Sequence, residues 1–161
     1  MRLTQLEKEC RRLLADIDVP DPFDLTVFLS YIAARRGRPL HLHPLPFAEG
    51  SPCGLWLGTD QADHVFYAAG TDALHQQHII LHEMGHILCD HQAPVPLLPD
   101  LDPATVARVL HRSSYTAPQE QIAEMIATMI NERAASGSRR PPADPTLVGL
   151  HDAFVVDHRG R

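Results

Sequence analysis

His82-Glu83-Met84-Gly85-His86 is the stretch on which the reading of this chain turns. Residues four apart share one face of an α-helix, so the two imidazoles can reach a single metal ion. Glu83, beside the first of them, can hold and deprotonate a water on that metal. Two histidine ligands with an adjacent carboxylate base is the arrangement that zinc-assisted hydrolysis needs. Chance would supply only about 0.03 such matches in a chain of this composition, so the motif is read as chemistry and not as an accident of a histidine-rich helix.

A hydrolytic zinc requires a third protein ligand and an open position for water. The metzincin extension of the motif would need Gly at position 89 and His at 92; Cys89 and Gln92 exclude it. The remaining common solution is a carboxylate from a second helix. Thr116-Ala117-Pro118-Gln119 has the capping-box pattern and predicts a helix to about Ala135, with Ile122, Met125, Ile126, Met129 and Ile130 apolar. Glu120 and Glu124 are four apart on that helix. Glu120 is assigned as the third ligand, and Glu124 as the carboxylate that hydrogen-bonds a ligand histidine and fixes its orientation. The reverse assignment stays open.

Around the motif, Thr71 or Asp72 can cap a helix over residues 73–91. Gly85 permits close approach of another backbone. Cys89 reads as a small thiol packing beneath the site, not as a ligand. His78 lies one turn before His82 and reads as a half-exposed helix residue, with a cleft or supporting role as the alternative. His91, five after His86, points elsewhere on the helix, and Asp90 can help cap its end. Three β-like runs precede the helix: Leu40–Leu45, Cys53–Leu57 and Val65–Ala69. Pro44 suits the first to an edge. His41 and His43 share a strand face and read as ordinary surface histidines.

Further out, residues 3–17 predict an amphipathic helix. Asp24 caps a second, which Gly37 ends. Arg35, Arg36 and Arg38 read as dipole compensation at that helix end. Pro94, Pro96 and Pro99 mark a loop, and Asp102-Pro103 opens a short helix through Leu110. Residues 136–145 are linker-like and 146–161 a C-terminal amphipathic segment. The whole of 1–161 is read as one domain with its core in 22–134.

Composition narrows the class. The chain has 161 residues, 44% hydrophobic and 21% charged, with net charge −6. That balance argues against broad attraction to nucleic acid or anionic membrane. No apolar run approaches a membrane span of roughly 18 residues, and the charged N-terminus lacks a signal-peptide core. Cys10, Cys53 and Cys89 form no CxxC pair, which fits reduced thiols and a cytoplasmic location.

The segment Val65-Phe66-Tyr67 followed by Ile79-Ile80-Leu81-His82-Glu83-Met84-Gly85-His86-Ile87-Leu88-Cys89-Asp90-His91 resembles the ImmA/IrrE family of small zinc metallopeptidases, whose helix reads like "LAHELGHLLLHH". Glu120-Gln121-Ile122-Ala123-Glu124-Met125-Ile126-Ala127 is similar to that family's "ExEAxxFA" helix. Pro22-Phe23-Asp24-Leu25 and Arg38-Pro39-Leu40-His41-Leu42 look like its opening helix and first strand. The resemblance covers roughly residues 22–134. Ile122 stands where the family often has a second glutamate, which favours Glu120 as ligand, and Ile126 replaces the usual aromatic. Residues 1–20 are too short for the helix-turn-helix fused to many relatives. The resemblance implies a cytoplasmic, gluzincin-like protease that cleaves a specific protein, such as a transcriptional repressor or the antitoxin-like product of a neighbouring gene.

The resulting expectation is an α+β, minimal zincin-like domain: a small antiparallel or mixed three-stranded sheet packed against the HExxH helix and further helices. Zn2+ is held by His82, His86 and Glu120, Glu83 is the general base, and Tyr115 and His111 are the nearest transition-state stabilisers by sequence. The strand at Val65–Ala69 would take substrate as an added β-strand. The rival is a non-catalytic, zinc-stabilised protein-binding module, which a closed site using Cys89 or His78 would favour.

Overall fold

Capping residues set where the helices begin. Thr4 accepts from the Glu7 N–H while Glu7 reaches back to the Thr4 N–H, a complete capping box that opens α1 at Gln5–Ala15. Asp24 accepts from the Val27 N–H and opens α2, Leu25–Arg36; Gly37, at φ 66°, supplies the left-handed turn that closes it. Asp72 accepts from the His75 N–H and opens α3, Ala73–Leu88. At α4, Ala117–Gly137, the Gln119 side chain accepts from the Thr116 N–H. The computed structural model describes residues 4–46, 53–91, 102 and 115–137. The expected helix after Asp102, His111, the proline-rich stretch from Pro94 and the C-terminal segment 146–161 lie outside the described residues.

Between α2 and α3 run β1 (Leu40–Leu45), β2 (Gly54–Gly58) and β3 (Asp63–Ala68), in the spatial order β1-β3-β2. β1 pairs parallel to β3 with His41 opposite His64; β2 pairs antiparallel to it with Trp56 opposite Val65. The architecture is therefore α+β with a small mixed sheet, and β1, with its proline, is an edge strand as expected. One expectation fails here. Residues 65–68 belong to the central strand, and both of its edges are already paired, so that strand cannot accept a further one. Among the described residues the free edges belong to β1 and β2.

One sheet face, carrying Trp56 and Val65, meets Ile80, Leu81, Met84 and Ile87 of α3. Ile126, Met129 and Ile130 of α4, and Cys10, Leu14, Phe28 and Ile32 of α1 and α2, close the same core. Each fully buried Ile or Leu there contributes roughly 1.5–3 kcal/mol. The closest approach in it is at Gly85. A Cβ at that position would lie 2.8 Å from the Ala123 Cα and 2.9 Å from its carbonyl oxygen, so only glycine lets α3 and α4 cross this tightly. Ala123 sits between Glu120 and Glu124, and the crossing delivers both carboxylates to α3.

Three helix ends differ from expectation: α1, expected through residue 17, stops at Ala15. α4 runs through Gly137, into the stretch that read as a linker. α3 stops at Leu88, not at residue 91, because Cys89 and Asp90 turn the chain back. The arginines also do more than offset a helix dipole. Arg36 (3.0 Å) and Arg38 (3.6 Å) pair with the buried Asp63 carboxylate, which also accepts from the Trp56 indole N–H at 3.1 Å. Arg36 donates to the Ile87 carbonyl, tying α2 to the end of α3. Among the described residues, no helix is long and apolar enough to cross a membrane.

Candidate metal centre

His82 and His86 project from adjacent turns of α3 toward α4, where Glu120 meets them. The His82 Nε2 lies 3.0 Å from the Glu120 Oε2 and 3.2 Å from the His86 Nε2, and the third side of the triangle, His86 Nε2 to Glu120 Oε2, is 3.7 Å. Ligand atoms about 2.0–2.1 Å from a tetrahedral zinc are about 3.3 Å apart, so the donor set fits such an ion. Among the described residues this is the one group of three or more metal-ligating side chains whose donor atoms converge. Neither Cys89 nor His78 belongs to it, so these residues supply three ligands and not a closed set of four.

Proton accounting explains why the triangle suits a cation. The Glu124 carboxylate only accepts, so the His82 Nδ1, 3.2 Å from its Oε2, carries the proton. A neutral His82 then presents the bare Nε2 lone pair to the Glu120 Oε2, another acceptor. Two acceptors 3.0 Å apart require a proton or a metal ion between them.

Glu124 is held in turn. The Asn131 amide Nδ2 can only donate, so the His78 Nδ1 accepts from it at 3.1 Å, and the His78 Nε2–H donates to the Glu124 Oε1 at 2.9 Å. The Gln77 amide completes the chain by donating to the Asn131 Oδ1 at 2.8 Å. Burial raises the Glu124 pKa, but the hydrogen bonds from His78 and His82 outweigh it and hold the carboxyl below its ordinary value. His78 thus both lines the cleft and supports Glu124, the alternative role the sequence offered. Asn131 gave no sequence signal beyond its helical register, two turns after Glu124.

Glu83 is buried at 5% exposure and lines the same pocket as the three converging side chains. It accepts from the Trp56 backbone N–H, while its Oε2 has no partner among the described residues. Burial and the neighbouring Glu120 charge push its pKa up to about 8, with the Trp56 bond acting against them. Gly54 makes room for it: a Cβ there would lie 2.7 Å from the Glu83 Oε1. Sequence reading passed over Gly54, because the clash it avoids is with a residue on another element.

Tyr115 stacks on His86, with ring centroids 3.6 Å apart and planes 12° from parallel. Its hydroxyl is buried without a partner among the described residues, and its pKa is raised by burial and then by the Glu83 and Glu120 charges. Burial pushes the His86 pKa down to about 3, with His82 and His91 adding to it, so the imidazole is neutral as a ligand must be. Cys89 is half-buried with its thiol pKa raised to about 11 by burial, then by Cys10, which makes it unreactive packing.

The pocket holds about 470 Å³ and is walled by Cys53, Gly54 and Leu55 on one side and the α3 residues His75, His78 and Ile79 on another. The strand beside the site is therefore β2, not β3. Comparison with protein-family models, curated proteins and solved structures finds no match to this chain.

Proposed function

We propose that this chain is a zinc-dependent endopeptidase of the ImmA/IrrE kind, a minimal zincin-like domain that hydrolyses a specific cytoplasmic partner protein such as a repressor or antitoxin-like regulator. The observation that carries the reading is the His82, His86 and Glu120 triangle with the Glu83 carboxylate in the same pocket. A zinc ion bound there would activate water and polarise the scissile carbonyl. Glu83, buried beside it, takes the proton from the attacking water and returns it to the leaving amine. The Tyr115 hydroxyl, without a partner among the described residues, is a donor available to the developing oxyanion. The edge of β2 at Gly54–Leu55, unpaired among the described residues, is the backbone along which an extended substrate would lie, the role the sequence assigned to residues 65–69.

The test pairs metal analysis with co-expression of the neighbouring gene product. Wild type and Glu83→Gln should bind equal zinc, and only wild type should cleave the partner, the substitution costing about 10²–10⁴-fold in rate. Stoichiometric binding of the partner with no cleavage by either form would establish the non-catalytic module instead. Glu120→Ala should lower zinc occupancy far more than Glu124→Ala; the reverse order would exchange their roles.

A further inference from the structure

The chain reversal after α3 has a consequence for the ligand beside it. Asp90 adopts φ 51°, the one non-glycine residue at positive φ among the described residues. Its N–H donates to the Ile87 carbonyl (3.1 Å), and the His91 N–H donates to the His86 carbonyl (3.0 Å). This pair of bonds is the Schellman motif, here with an aspartate where glycine is usual. A left-handed conformation is unfavourable for most non-glycine residues, less so for Asp, whose short polar side chain tolerates it. The turn folds His91 back over the helix end, so its buried ring meets the buried ring of His86, with Nδ1 to Nδ1 at 2.9 Å.

Two Nδ1 atoms at that distance share one proton, and zinc decides who holds it. With the His86 Nε2 turned to Glu120 and His82, the proton must sit on the His86 Nδ1 once a metal occupies Nε2. His91 then accepts. We propose that His91 is a positioning residue: placed by the Asp90 turn, it accepts the His86 Nδ1–H and fixes that ligand in its metal-binding tautomer and ring orientation. His82 has a carboxylate for this purpose in Glu124, whereas His86 has a neutral imidazole. The inference rests on the metal-site reading above but not on peptidase activity.

The test uses the full chain and zinc itself, with dissociation constants measured by competition against a chromophoric chelator. His91→Ala should weaken zinc about 10–100-fold, the usual range for losing a partner of a ligand histidine. His91→Asn, whose side-chain oxygen falls near the lost Nδ1, should restore most of the affinity. In zinc-loaded wild type, imidazole ¹⁵N spectra should show a protonated His86 Nδ1 with a ¹⁵N–¹⁵N coupling across the hydrogen bond to the His91 Nδ1. Unchanged affinity in His91→Ala, an Asn variant as weak as Ala, or zinc on the His86 Nδ1 would each overturn the proposal. If the Ala variant does not fold, the Asn variant and the wild-type spectra still decide. Failure of wild type to bind zinc would overturn the metal site itself. Tight wild-type binding with no effect at His91 would overturn this inference alone.

Discussion

Among the described residues the histidines form two clusters, and they are built differently. On the sheet, His41, His43 and His64 lie on one face, with ring centroids 5.2 and 5.3 Å apart and a single ring-nitrogen contact, His43 Nε2 to His64 Nδ1 at 2.9 Å. Among the described residues no carboxylate hydrogen-bonds their rings. On the helices, His82 and His86 turn their nitrogens onto Glu120, and His78 and His91 stand behind through Glu124 and the His86 ring. Strand neighbours project side by side, so imidazoles two apart or across a register stack. Helix neighbours four apart converge on a partner that a second helix brings in. Histidine number does not make a metal site; convergence with a carboxylate does.

The largest effect that separates the clusters is in zinc binding. His82→Ala should weaken zinc on the order of 10³-fold, one ligand's share of a typical zinc-site free energy. His43→Ala should leave one zinc per chain at unchanged affinity. Equal losses, measured by chelator competition, would erase the distinction.

The pH response should separate them next. Glu83 has its pKa raised from 4.5 to about 8, so the folded state disfavours its charge. Stability from this group is fully present below pH 4.5 and is lost as pH rises toward 8. Relative to Glu83→Gln, metal-stripped wild type should lose denaturation stability across that window; parallel profiles would contradict the burial argument.

Glycine at the helix crossing should matter where glycine at a loop does not. Gly85→Ala drives a methyl against the Ala123 backbone and should cost about 1–3 kcal/mol, with weaker zinc, as the helices separate. Gly70→Ala meets nothing within 4 Å and should stay within about 0.5 kcal/mol. Matching urea midpoints for the two would remove the crossing as the device that assembles the site.

The smallest effect belongs to the sheet cluster. His64 and His43 have lowered pKa values, by burial first and then by the neighbouring imidazoles, so their neutral forms are favoured in the fold. Wild type should lose stability as pH falls below the ordinary histidine value of 6.5, and His64→Gln should flatten part of that loss. An unchanged acid limb would show the stack to be electrostatically inert.

Much of this was legible in the chain. The caps at Asp24 and Asp72, the glycine stop at Gly37 and the edge placement of β1 follow from local chemistry, and the structure repeats them. The spacing of His82 and His86 and of Glu120 and Glu124 was readable because a helix converts sequence interval into direction. Three things were not. The edge assigned to residues 65–69 failed because strand order is set by pairing partners and leaves no local mark. His91 was misplaced because its direction depends on where α3 ends, and that end rests on an aspartate taking a turn that glycine usually signals. Gly54 and Asn131 escaped notice because each serves a side chain on another element.

By itself, then, the sequence determined where the described helices start, the histidine pair, the carboxylate pair and the glutamate beside the first histidine, since all rest on intervals within one element. Only the tertiary structure decided which strand borders the site, which imidazole supports which ligand and how closely two helices cross. Those depend on contacts between elements far apart in the chain, where no interval in the sequence encodes a distance in space.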